Sequence, residues 1–251
     1  KITAKTWSGA NLRWCALTAP VSTPPTPFNA STYLLANTGD AIALRMIASA
    51  WIVAYLPGAL AYRLPIGDRD QRAALEAGER VFWHVVISVV WSLAVVLALA
   101  ALDAYRFERL LAINLVGAGL VVASVRGRLR YGGAAAWPGP AVLLPVFLVV
   151  IGVWRFFPAS EYIIGGKDPG TYFNEGIAIA QRGSLVIRED VVAAVPTSQR
   201  PYWFPLSRTH DFESHRFMGF WVQHVGQGVT VGQFPHLYPA SVAVGFGLDG
   251  L

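Results

Sequence analysis

A chain of 251 residues that is 54% hydrophobic and only 14% charged, with a mean hydropathy of +0.45, is not an ordinary soluble domain: globular chains carry about 25% charged residues. The net charge of +5 sits mostly on arginines in short connectors, so it points to membrane topology and lipid headgroups and not to nucleic acid. The single cysteine, Cys15, excludes an internal disulfide framework and a cysteine-based metal site.

The predicted fold class is an all-α polytopic membrane protein. Residues 1–39 form an N-terminal loop or tail, rich in Pro20, Pro24, Pro25 and Pro27, with a sequon-like Asn29-Ala30-Ser31. No secretory signal is evident in it. Residues 40–157 hold four apolar blocks, read as four transmembrane helices at 40–62, 81–104, 110–125 and 141–157. The first has Arg45 near its start and a kink expected at Pro57-Gly58. The third is short unless extended by Phe107, and the fourth closes on Trp154, Phe156 and Phe157, which suit an interfacial belt. His84 and Arg45 fall near block ends, where snorkelling to the interface accommodates them.

Arg63, Arg69, Arg72 and Arg80 lie in one connector and Arg126, Arg128 and Arg130 in another on the same side. The opposite link has only Arg106 and Arg109, offset by Asp103 and Glu108. The arginine-richer side is expected to be cytoplasmic. That places the chain in the plasma (inner) membrane as a multi-pass protein, with residues 158–236 as an extracytoplasmic loop. Residues 237–251 begin a fifth span. Starting at Lys1 and stopping at Leu251 inside an apolar run, the chain reads as an N-terminal fragment of a longer protein.

The loop opens on Gly165-Gly166-Lys167-Asp168-Pro169-Gly170-Thr171-Tyr172 and continues to Arg182-Gly183-Ser184. A juxtamembrane helix is predicted over 169–182, with Asp168 as N-cap, Pro169 as the first helical residue and Gly183 closing it. Phe173, Ile177 and Ala180 share a face that is expected to lie along the membrane surface. Residues 184–187 allow a strand, and the rest reads as loop with aromatic anchors. Capping alone explains Asp168 and Pro169. The wider pattern adds Tyr172 four residues on, Gly183 eleven further, and Phe234-Pro235-His236-Leu237-Tyr238-Pro239 leading into the next span.

On these residues the chain resembles the integral-membrane glycosyltransferases of the GT-C class, closest to the superfamily of protein O-mannosyltransferases and aminoarabinose transferases (family 39-like). Members have an Asp in the first large extracytoplasmic loop, a Tyr four residues on, a Gly closing the following helix and a Pro-Leu-Tyr-Pro-like entry to the next span. Asp168, Tyr172, Gly183 and Leu237-Tyr238-Pro239 match, over about 161–184 and 234–244. Pro169 stands where members often have a second acid, about fifty residues separate the two stretches, and four blocks precede the loop instead of one. The segment Leu56-Pro57-Gly58-Ala59-Leu60 is similar to added N-terminal spans of some bacterial relatives.

The resemblance implies transfer of a sugar from a polyprenyl-phosphate donor to a hydroxyl of a glycan, lipid or protein acceptor, with inversion and with Asp168 as general base. Lys167 and Arg182 are the cations available to the leaving phosphate, although solvated charges at an anionic lipid surface explain them equally well. Tyr172 and Tyr238 complete the candidate substrate-binding set. No cofactor is implied. His210, Asp211, Glu213 and His215 offer a divalent-cation cluster of the kind that flexible loops also hold without a ligand. Trp203, Phe204, Phe212, Phe217, Phe220 and Trp221 suit sugar stacking or interfacial anchoring. Two readings of other classes stand beside the enzyme: a transporter or flippase-like protein gated by the loop, and a non-catalytic membrane scaffold.

Overall fold

The computed structural model describes residues 39–65, 67, 69–125, 139–140, 143–156, 167–207, 214–217 and 219–249. They divide into a helical unit, 38–186 with 232–251, and a smaller unit over 187–231.

The helical unit holds α1 (Gly39–Ala54), α2 (Leu56–Ala61), α3 (Arg69–Ala74), α4 (Ala77–Ala101), α5 (Phe107–Val125), α6 (Leu143–Phe156), α7 (Lys167–Arg182) and α10 (Leu237–Asp249). Among the described residues two helices, α4 and α5, are long and apolar enough to cross a membrane. At 25 residues, α4 is about 37 Å long, more than a hydrocarbon core of roughly 30 Å. The other expected spans are shorter helices, 14 residues in α6 and 13 in α10. The first block breaks at Tyr55 (φ −134°, ψ −45°), and Pro57 then enters the first turn of α2, where its missing N–H leaves no intrahelical bond unmade.

Gly58 has a packing reason as well. Its N–H donates to Ser88 Oγ at 2.8 Å, and a Cβ there would lie 2.0 Å from the carbonyl oxygen of His84. Only a residue without a side chain lets α2 and α4 approach this closely.

The buried stripe of α4 is His84, Ser88, Ser92, Val96 and Ala100, at a strict four-residue spacing. Its other faces expose Val81, Phe82, Trp83, Val89, Val90 and Trp91. Small and polar groups face inward and large apolar groups outward, the arrangement that lipid favours and water does not. The inner groups are joined: Ser92 Oγ donates to the Val53 carbonyl at 2.8 Å, Asn114 Nδ2 to Ser92 Oγ at 3.1 Å, and Trp91 Nε1 to Asn114 Oδ1 at 3.0 Å. His84 does not snorkel. It is buried, bonds Tyr55 Oη through Nδ1 at 3.2 Å, and lies edge-on to the rings of Tyr55 and Tyr62.

The unit at 187–231 corrects the all-α expectation. It carries a five-stranded sheet in the order β1 (Val186–Arg188), β5 (Val229–Gly232), β4 (Phe220–His224), β3 (Ser214–Phe217), β2 (Leu206–Ser207). Two short helices, α8 (Asp190–Ala193) and α9 (Arg200–Trp203), lie between the first two strands in sequence. Strands β2–β3 and β3–β4 pair antiparallel, with His215 opposite both Leu206 and Val222. Among the described residues no strand exceeds five residues, and β4 has only Val222 fully buried, so no alternation of period two is long enough to read from the sequence.

Candidate active site on helix α7

Helix α7 starts at Lys167, so Asp168 lies inside its first turn and is not the N-cap expected from the sequence. Pro169 is accepted because the first four N–H groups of a helix have no intrahelical partner, and the exposed Asp168 carboxylate faces the positive end of the helix dipole. At the other end Gly183 closes the helix as expected. It has φ +75°, its N–H returns to the Ile179 carbonyl at 2.9 Å, and a Cβ would meet Tyr105 O at 2.5 Å.

The inward face differs from the expected one. Thr171, Glu175, Gly176 and Ile179 are buried, whereas Phe173, Ile177 and Ala180 are only half-buried. The helix packs on α10: a Cβ on Gly176 would fall 2.5 Å from Val242 Cβ and 2.8 Å from Pro239 O. Ile179, Ala240 and Ala243 join Val53, Val96, Ala100, Tyr105, Phe107 and Leu110 in one core. The α4–α5 turn is sewn to the end of α7, since Tyr105 N donates to Gly183 O at 3.0 Å and Leu185 N to Ala100 O at 3.1 Å. Asp103, at φ 54°, accepts from Ser184 Oγ.

Tyr172 and Tyr238, far apart in sequence, meet. Their ring centroids are 5.6 Å apart and nearly perpendicular, and Phe234 lies 5.0 Å from Tyr172. Such offset and edge-on pairs add about 0.5–1.5 kcal/mol beyond area burial. Tyr238 stays exposed, so the cluster presents aromatic surface one helical turn from Asp168. Arg182 is not part of it: fourteen residues along the helix put its backbone about 21 Å from that of Asp168. Lys167 precedes Asp168 at the helix start.

One turn beyond Tyr172 is a pair that sequence reasoning missed. Glu175 is fully buried, and its Oε1 accepts from His236 Nδ1 at 2.5 Å. Glu175 Oε2 is buried without a hydrogen-bond partner. Gly232 makes the space, because a Cβ there would sit 2.1 Å from Oε2. The hydrogen bond to Glu175 and the charge of that carboxylate raise the His236 pKa above its ordinary value, against the opposing effect of burial. The available signal was spacing: Thr171, Glu175 and Ile179 recur every four residues, which puts the glutamate on an inward stripe.

In the unit at 187–231, a cleft of about 560 Å³ is lined by Arg200, Phe204, His215, Gln223, His224 and Gln227 among others. His215 Nδ1 donates to the Phe204 carbonyl at 2.9 Å, and Arg216 stacks over Trp221 at 4.9 Å. Of the proposed cation cluster, His210, Asp211 and Glu213 lie outside the described residues, as does Phe212. Among the described residues no three metal-binding side chains converge.

Comparison with protein families, with curated proteins and with solved structures finds no match.

Proposed function

We propose that this protein is a lipid-linked-sugar glycosyltransferase of the membrane, with Asp168 as general base. The acceptor hydroxyl gives its proton to the Asp168 carboxylate as its oxygen attacks the anomeric carbon. The bond from that carbon to the phosphate oxygen breaks, and polyprenyl phosphate leaves with the electron pair. Attack opposite the leaving group inverts the sugar. Tyr172, Tyr238 and Phe234 provide rings against which a sugar stacks. The observation that carries the reading is the exposed carboxylate of Asp168 one turn from an aromatic cluster built by the two sequence stretches that prompted the resemblance.

Replacement of Asp168 by Asn tests it. The amide keeps the shape and cannot take a proton near neutral pH, so transfer in membranes falls by about 10²-fold or more while the protein still inserts and folds. Near-normal transfer would reduce Asp168 to a structural residue and leave the transporter and scaffold readings.

In the proposed topology all four apolar blocks span the inner membrane and residues 158–236 lie outside the cytoplasm. The reading is supported by the hydrogen bonds joining the α4–α5 turn to the end of α7, since two segments emerging on one side are free to meet. Cysteines introduced at Ser207 and Arg128 should then label from opposite sides, Ser207 from outside. Labelling of both from the cytoplasm would reverse the orientation and remove the lipid-linked chemistry.

A further inference from the structure

We infer that the cleft in the unit at 187–231 is a binding site for a sugar acid, with Arg200 taking the carboxylate. The inference goes beyond the transferase reading, since every residue it uses belongs to that unit.

The local chain fixes Arg200 and leaves the end of its side chain open. Nε donates to the Val195 carbonyl at 3.0 Å, five residues back, which ties the guanidinium to its own loop. Nη1 and Nη2 remain, and among the described residues neither has a hydrogen-bond or ion-pair partner. The half-buried side chain reaches the turn Val225–Gln227 at Gly226, where an added Cβ would stand 3.6 Å from Nη1 and 3.9 Å from Nη2. A side chain longer than a methyl there would cover both groups, and glycine leaves them uncovered. The two Nη groups each present an N–H from the end of a rigid fork, at the spacing that the two oxygens of a carboxylate match.

The charge around Arg200 favours an anion. None of the described residues that line the cleft is acidic. Glu189 and Asp190, where α8 packs on the same turn, are not among the lining residues. A cleft walled by one sign of charge attracts the opposite sign.

The rest of the lining suits hydroxyls and not a second charge. His215 Nδ1 donates to the Phe204 carbonyl at 2.9 Å, so in the neutral ring Nε2 is an acceptor for a ligand O–H. Gln223 and Gln227, both exposed, each bring an amide that donates and accepts. Buried Phe204 supplies apolar wall. One carboxylate partner among neutral donors and acceptors is the complement of a carboxylate carried on a hydroxylated ring. The volume of about 560 Å³ falls among small-molecule sites and admits either a free sugar acid or an acidic residue of a glycan.

The test is calorimetric titration of the whole chain in phosphatidylcholine nanodiscs, with empty nanodiscs as the blank. Glucuronate should bind saturably. Glucose, which lacks the carboxylate, and acetate, which lacks the ring, should each bind about tenfold or more weakly, the range for losing a charge-assisted pair or several neutral hydrogen bonds. Arg200→Gln should weaken glucuronate by about tenfold or more. Because that change also removes the bond to Val195, Gly226→Leu is the second variant: it keeps the arginine, covers its outer edge and should weaken binding to a similar extent. A glucuronate trimer separates the two sources, tighter binding than the monomer assigning the cleft to a glycan and equal or weaker binding to the free acid. Absence of saturable binding by glucuronate and by its trimer in the wild type overturns the proposal without recourse to any variant. Equal affinity for glucose overturns the role of the carboxylate, and equal affinity for acetate or sulfate overturns the sugar in favour of any anion. Unchanged affinity in both variants places binding elsewhere and overturns the site. The titrations need no transfer activity, so their failure leaves the transferase reading where it stands, and failure of Asp168→Asn to reduce transfer leaves the cleft where it stands.

Discussion

Helix α7 carries two carboxylates seven residues apart, nearly on one line along the helix and about 10 Å apart along its axis, and the fold treats them oppositely. Asp168 is exposed in the first turn, while Glu175 is sealed against Gly232 and bonded to His236. A carboxylate that is to accept a proton from a substrate must be reachable. One that is to hold a histidine in a fixed charge state is better out of water, where the interaction is not screened. The same side-chain chemistry is thus left open to solvent at one end of the helix and turned to internal organisation two turns later.

The comparison breaks most readily on stability. Glu175→Ala removes the hydrogen-bond partner of His236 and opens a cavity, and should cost about 2–4 kcal/mol in a reversible unfolding measurement in detergent. Asp168→Ala loses only an exposed charge at a helix start, about 0.3–1 kcal/mol. Equal losses would mean that Asp168 is structural after all.

A smaller effect tests whether the packing of α7 on α10 sets up the difference. Gly176→Val drives a side chain into Val242 and Pro239 and should cost about 1–3 kcal/mol. Gly152→Val on α6, where nothing lies within 4 Å of the added atom, should be close to neutral by the same measurement. A neutral Gly176→Val would show that the helices are free to move apart.

The smallest expected effect is the pH dependence. His236 has a raised pKa in the folded protein, so the stability from its bond to Glu175 is fully present below the unfolded value of about 6.5 and is lost as pH rises through the folded value. The midpoint difference between wild type and His236→Gln should therefore narrow as pH is raised above about 6.5. A difference that grows toward alkaline pH would show a neutral imidazole at this position.

Apolar runs located α4 and α5, the break near Pro57 and the start of α10, because burying a long stretch of apolar side chains leaves a signal spread over many residues. Gly183 was legible for a local reason, the left-handed turn that glycine adopts without strain. The sheet was not legible, since strands of two to five residues with one or two inward side chains carry no period. The inward face of α7 was not legible because glutamate and threonine read as polar, and only the partners that approach them make those positions interior.

Of the candidate site, the sequence by itself supplied the candidates and their spacing, Asp168 and Tyr172 four residues apart and Tyr238 at the entry to the last apolar run. Only the tertiary structure decided which of them meet. The packing of α7 on α10 brings Tyr172 to Tyr238 and Glu175 to His236, and the length of α7 separates Arg182 from Asp168. A residue's type is written in the chain, but burial and pairing depend on neighbours some sixty positions away, and no local pattern records them.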